Sequence, residues 1–202
     1  MKAGRASKTV GRPREFDADE ALEIAMRLFW QKGYEGTSLT DLTEAIGINR
    51  PSLYAAFGNK EELFRKALNR YAKGPGGKIC EALAEPDARK AIEGLLLTSA
   101  DCLTDPRTPS GCMAVQSALS CGDEAEPIRK ELCAMRAANQ ETLTMRLEQA
   151  KADGDLSKDA DACALSAYFT TVLQGMAVQA AGGASRKQLR EVAKTALRAW
   201  PS

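Results

Sequence analysis

Apolar residues recur along this chain at three- and four-residue intervals, punctuated by glycines and polar clusters, and that spacing predicts helices from end to end. Residues 38 to 57 carry the most telling stretch. Leu39, Leu42 and Ile46 share one helical face, Ser38 is a suitable cap for it, and Gly47 ends it. Asn49 then caps a second helix with Arg50 and Pro51 in its first turn, where proline forfeits no hydrogen bond. Two short helices joined by three residues follow. On the second, Leu53, Ala56 and Phe57 fall on the buried side, while Pro51 and Ala55 point outward between Ser52 and Tyr54. An outward face that is small near its middle and begins with Arg50 fits the major groove of DNA.

The flanking segments predict further helices that pack rather than read. Asp17 caps a helix whose Ala21, Leu22, Ile24, Ala25, Leu28 and Phe29 form a broad apolar stripe, closed by Gly33. Asn59 and Glu62 make a capping box that opens residues 60 to 73, with Leu63, Phe64, Ala67, Leu68 and Tyr71 on one face. With these features in place, residues 16 to 64 resemble the N-terminal domain of the TetR/AcrR family of transcriptional regulators. The resemblance is carried by Phe29, Gly33-Tyr34, Thr37-Ser38, Gly47-Ile48, Leu53-Tyr54, Phe57 and Asn59-Lys60-Glu61. It implies that Arg50, Pro51 and Ser52 lie where such proteins read base edges, and that Tyr54 and Lys60 lie where they hold phosphates. Ser38 and Thr40, at the start of the first motif helix, would add phosphate or base-edge contacts. For Arg50 two roles stay open: a two-pronged contact to guanine, worth about 1–3 kcal/mol of discrimination, or a phosphate contact.

Charge adds one element. The 202-residue chain is nearly neutral at +1, yet residues 1 to 14 contain Lys2, Arg5, Lys8, Arg12 and Arg14 and no acid. This reads as a flexible basic arm suited to a minor groove or to phosphates. It precedes a helix-turn-helix domain over 15–73, and a helical effector-binding and dimerisation domain is expected over 78–202. The fold class is therefore all-α, with 44% hydrophobic residues sufficient for a substantial core. A basic start without an apolar segment behind it leads to the expectation of a cytoplasmic protein.

Several chemistries are disfavoured. With no histidine, neither a Ser-His-Asp nor a Cys-His pair can form, and no phosphate-binding glycine loop is present. No metal, no cofactor and no enzymatic activity are expected. The six cysteines, at 80, 102, 112, 121, 133 and 163, include no CxxC pair and read mostly as reduced, buried thiols. Cys112 and Cys121, each beside a glycine, are candidates for exposure and for sensing oxidants or electrophiles.

The second half predicts helices over 90–105 and 112–121, a long one from Pro127 to Gly154, one in the uncharged stretch 162–185 and a last one after Ser185 that runs to Trp200. Residues 162 to 185 hold no charge, yet Gln174, Gln179, hydroxyls and glycines make them too polar for a membrane span, so no membrane contact is expected. A helix this apolar should be buried on most sides, which predicts a four-helix interface with a second copy, the alternative being a monomeric bundle with its last helix pair buried. Leu96, Cys102, Met113, Gln116, Leu119, Met135, Asn139, Phe169 and Gln174 are candidates to line a small-molecule cavity. The leading expectation is a homodimeric repressor that leaves a palindromic double-stranded operator when a small molecule binds. The alternatives are a cysteine-based sensor and, from another class, a helical ligand-binding protein or enzyme without a DNA role.

Overall fold

Each early helix begins on a side chain that satisfies its free amides. The computed structural model describes residues 16–77, 81–119 and 125–201; the basic arm, Cys80 and Cys121 lie outside the described residues. Asp17 accepts from the Asp19 and Glu20 amides to open α1 (Ala18–Lys32). Ser38 and Asp41 form a capping box on α2 (Leu39–Ile46), and Asn49 accepts from Ser52 to open α3 (Arg50–Phe57). The predicted Asn59–Glu62 box opens α4 (Lys60–Lys73). Gly47 has φ +77° and donates to the Thr43 carbonyl, the left-handed conformation that turns α2 into α3 without a Cβ penalty. Then come α5 (Ala88–Leu103), α6 (Met113–Leu119), α7 (Glu126–Asp153), α8 (Ala162–Ala181) and α9 (Arg186–Ala196), with short 3-10 turns at Ala82–Ala84 and Leu197–Ala199. No strand occurs among the described residues, and the fold is all-α as expected.

The apolar residues form two clusters. The first joins α1 to α4 around Phe29, Trp30, Leu42, Leu53, Leu63 and Phe64, and it extends through Met113 of α6 to Ile128 and Leu132 of α7. Phe64 meets both Phe29 and Tyr34 edge-on at 5.1 Å between ring centroids, a favoured aromatic geometry. The second cluster collects α5, α8, α9 and the C-terminal half of α7, with Leu96, Leu143, Leu147, Phe169 and Leu189 inside. α7 thus serves both clusters along its 28 residues.

Several sequence expectations change in detail. Ala56 is exposed, because α3 is eight residues long and only Leu53 and Phe57 reach the core beneath it. Met26 and Trp30, outside the predicted stripe of α1, are also buried, because both α4 and α6 pack on α1. No disulfide joins the described cysteines, but the buried expectation fails: Cys102, Cys112 and Cys133 are half-buried and Cys163, in the first turn of α8, is exposed. Within one chain α8 is not covered all round. Ala164, Tyr168, Thr171, Gly175 and Val178 form an exposed strip along it, continued by Val192 of α9, which is 44% exposed although its stripe neighbours Leu189 and Ala193 are buried.

Candidate nucleic-acid interface and internal cavity

The ends of α2, α3 and α4 converge on one polar surface. Arg50, the first residue of α3, donates from Nη2 to Thr40 Oγ1 of α2 at 3.1 Å, which brings two of the expected site residues together. Both are exposed, and the other guanidinium donors of Arg50 remain available. Pro51 and Tyr54 also face outward, Tyr54 with 44% of its surface exposed, while Ser52 is half-buried. Ser38 is exposed, but its hydroxyl is already engaged: it donates to Asp41 Oδ2 at 2.5 Å and accepts from the Asp41 amide.

Asp41 is the residue that sequence reasoning missed here. Its carboxylate also takes Lys32 Nζ at 2.5 Å, and these two hydrogen bonds hold its pKa well below the ordinary carboxylate range. An acid therefore sits at the start of α2 with its charge balanced by Lys32. The signal available was Asp at the third helical position after Ser38, a variant of the capping box. Lys60, opening α4, is half-buried with Nζ 4.5 Å from the Tyr34 ring centroid. Burial lowers its pKa, while Glu35 and Asp41 pull the other way. The cation is thus set in place by an aromatic face.

α1 and α4 carry this surface back to the rest of the molecule. Arg70 of α4 holds Asp19 and Glu23 of α1 at 2.6 and 2.9 Å. Arg65 of α4 reaches Glu131 of α7 at 2.6 Å and Glu61 at 3.2 Å. Trp30 donates from Nε1 to the Gly111 carbonyl at 3.0 Å and meets Tyr71 edge-on at 4.8 Å. Gly111 has φ +86°, and a Cβ there would come within 3.0 Å of the Ala177 carbonyl, so only glycine suits that junction.

Behind the junction lies a cavity of about 220 Å³ walled by Tyr71, Leu95, Cys112, Met135, Arg136, Asn139, Leu143, Leu173 and Gln174, among others. It falls where α7 passes from one apolar cluster to the other, between Leu132 and Leu143. Of the candidate lining residues, Met135, Asn139 and Gln174 are on its wall. Leu96, Met113 and Phe169 are instead fully buried core. Cys102 is not on the wall, and Gln116 points its amide to the Ser110 carbonyl. The Leu119 side chain lies outside the described residues. Cys112 is on the wall, and its Sγ accepts from the Tyr71 hydroxyl at 3.4 Å. Burial, and then the nearby Cys112, push the Tyr71 phenol far above its usual range, so it stays protonated and donates. Among the described residues no cluster could hold a metal ion, and no helix is long and apolar enough to cross a membrane.

This architecture has relatives. The family model for bacterial regulatory proteins of the tetR family matches residues 21–67, and that for the tetracyclin repressor-like C-terminal domain matches residues 88–197. The chain belongs to the TetR family. It is 39% identical over 199 residues to the HTH-type transcriptional repressor ComR of Escherichia coli, covering 96% of this chain and 93% of that one. A cysteine-substituted form of the TetR regulator CifR, solved with 26-base-pair double-strand operator DNA, is 44% identical with a TM-score of 0.89, covering 94% of this chain and all of that one. A TetR regulator from Rhodococcus sp. RHA1 is 43% identical with a TM-score of 0.62 over 90% of this chain. The protein is accordingly a DNA-binding transcriptional regulator with a helix-turn-helix over α2 and α3. TetR proteins act by binding DNA and are not an enzyme family.

Proposed function

We propose that this TetR-family protein is a cytoplasmic repressor that binds a near-palindromic operator as a homodimer and is released when a small molecule fills the cavity. The observation that carries the reading is the exposed start of α3, with Arg50 braced on Thr40 and Pro51 and Tyr54 facing outward. The operator complex of CifR and the repressor ComR support the same role. Two copies joined through α8 and α9 would set their α3 helices about 34–36 Å apart, the spacing of successive major grooves. The cavity touches Tyr71, Ala72 and Gly76 at the far end of α4, and Lys60 begins that helix. Over 14 residues, about 21 Å, a shift imposed by a ligand moves the DNA-facing end. Coupling of about 1–3 kcal/mol changes DNA affinity roughly 5- to 150-fold.

The division of roles is testable. Arg50→Ala should narrow the affinity gap between operator and unrelated DNA by about 1–3 kcal/mol. Lys60→Ala should weaken binding to all sequences and flatten its dependence on salt by about one counterion. Fluorescence anisotropy at several salt concentrations reads both. Equal, sequence-independent losses would assign Arg50 to phosphate instead.

A second reading concerns how the signal arrives. Cys112 lies on the cavity wall in contact with Tyr71 of α4, which favours a covalent route in which an electrophile alkylates the thiol. Cys112→Ser should then abolish release by electrophiles while operator affinity stays near the wild-type value. A variant that still lets go of DNA on treatment with iodoacetamide removes this reading.

A further inference from the structure

The cavity wall holds one formal charge. Arg136, on α7, lies among Leu95, Leu143 and Leu173, and no aspartate or glutamate contributes to the lining. The other arginines near the domain junction are paired: Arg65 with Glu131 and Glu61, and Arg70 with Asp19 and Glu23. Arg136 has no carboxylate partner among the described residues. Its Nη2 rests on Cys133 Sγ at 3.1 Å, a weak acceptor one turn back along its own helix. Asn139 follows one turn on, and Gln174 faces it from α8, both on the wall. No hydrogen bond ties either amide to the described protein.

Arg136 is half-buried beside apolar surface with no described carboxylate to answer its charge. An anion entering the cavity supplies that partner, and a planar carboxylate matches the guanidinium fork with two parallel hydrogen bonds. At about 220 Å³ the space is smaller than the ~300–1,000 Å³ of pockets that take drug-sized ligands. The rest of the wall is mostly apolar, with the Tyr71, Ser99, Thr142 and Thr170 hydroxyls and the Cys112 thiol interspersed, which asks for a largely apolar body. We infer that the cavity selects a small carboxylic acid, its carboxylate on Arg136 with Asn139 and Gln174 alongside, and its hydrocarbon body against Leu95, Leu143 and Leu173. Such acids are ionised at neutral pH. Amines of the same shape are rejected, since they would place a second cation beside Arg136.

The inference rests on reading the cavity as the effector site, and binding is therefore measured without DNA. Isothermal titration of the purified protein would compare hexanoate with hexanamide, phenylacetate with phenylacetamide, and cyclohexanecarboxylate with its amide. At least one acid should bind on the order of tenfold or more tighter than its amide. Arg136→Met, which keeps the apolar stem, should erase that preference and leave the amide's affinity in place. Arg136→Lys, which keeps the charge without the fork, should retain part of it and serves if the methionine variant fails to fold. No acid preference in any pair, or a preference that survives Arg136→Met, overturns the inference. An acid that binds through Arg136 but leaves the operator complex intact would contradict effector control and not the ligand class. Release by neutral compounds alone would do the reverse.

Discussion

Trp30→Ala is expected to destabilise the protein by about 3–5 kcal/mol, the range for truncating a large buried aromatic side chain. The indole is 2% exposed and packs at the seam between the helix-turn-helix and the rest of the molecule. It makes two contacts that alanine cannot: the hydrogen bond to the Gly111 carbonyl and the edge-on meeting with Tyr71. Trp30→Phe separates them. It retains an aromatic ring and removes the N–H, at a cost of about 1–3 kcal/mol for the carbonyl left without that donor. Urea unfolding followed by circular dichroism gives both numbers. The ion pairs across the same seam do not substitute for this packing. Arg65 and Glu131 are 39% and 45% exposed, and pairs of that kind contribute about 0–1 kcal/mol. A loss under about 1 kcal/mol for Trp30→Ala would mean that the seam is not packed as described.

Val178→Glu is expected to give a folded monomer whose operator affinity is lower by about 10²–10⁴-fold, the gain that linking two half-site contacts provides. Val178 is 46% exposed on the strip that runs from Ala164 through Tyr168, Thr171 and Gly175, and Tyr168 is 41% exposed. A Cβ on Gly175 would meet nothing within 4 Å among the described residues, so that face is open to a second helix. The groove beside it has Tyr168, Val172, Val192 and Ala196 from both helices on its wall, edged by Lys187, Gln188, Glu191 and Thr195 of α9. In a two-fold interface each substitution acts twice, and glutamate tolerates a helix well, so the change isolates association from folding. Light scattering and an unchanged melting temperature check the first part; a titration of operator DNA checks the second. A variant that stays dimeric places the interface elsewhere.

Much of this molecule was legible because its helices follow local rules. The caps at Asp17, Ser38, Asn49, Asn59 and Ser185 all accept from the amides two or three positions on. Leu42, Leu53, Phe57, Leu63 and Phe64 are buried as their spacing required. What spacing could not show was which second surface a helix meets. Met26 and Trp30 look outward on a single-faced reading of α1, and it takes neighbours distant in sequence, among them Tyr71 of α4 and Gly111 against Trp30, to bury that second side. The cavity shows the same limit. Asn139 and Gln174 stand out in sequence as polar residues on an apolar face, whereas Leu96 and Phe169 differ from lining residues such as Met135 only through neighbours distant in sequence. An arginine on an exposed amphipathic helix is unremarkable in sequence, and Arg136 stands out only through the carboxylate partner it lacks among the described residues. On the DNA-facing surface the residue types were readable, but the engagement of Ser38 with Asp41, and of Asp41 with Lys32, depends on side-chain geometry.

The measurement that tests the central claim most directly is selection of bound sequences from random duplex DNA by the purified protein, with its mass determined in the same preparation. Enrichment of a near-palindromic site by a protein of twice the 21.7 kDa chain mass is the predicted result. Failure to enrich any sequence at low salt, where phosphate contacts are strongest, or enrichment of a lone half-site by a monomer, would contradict the account.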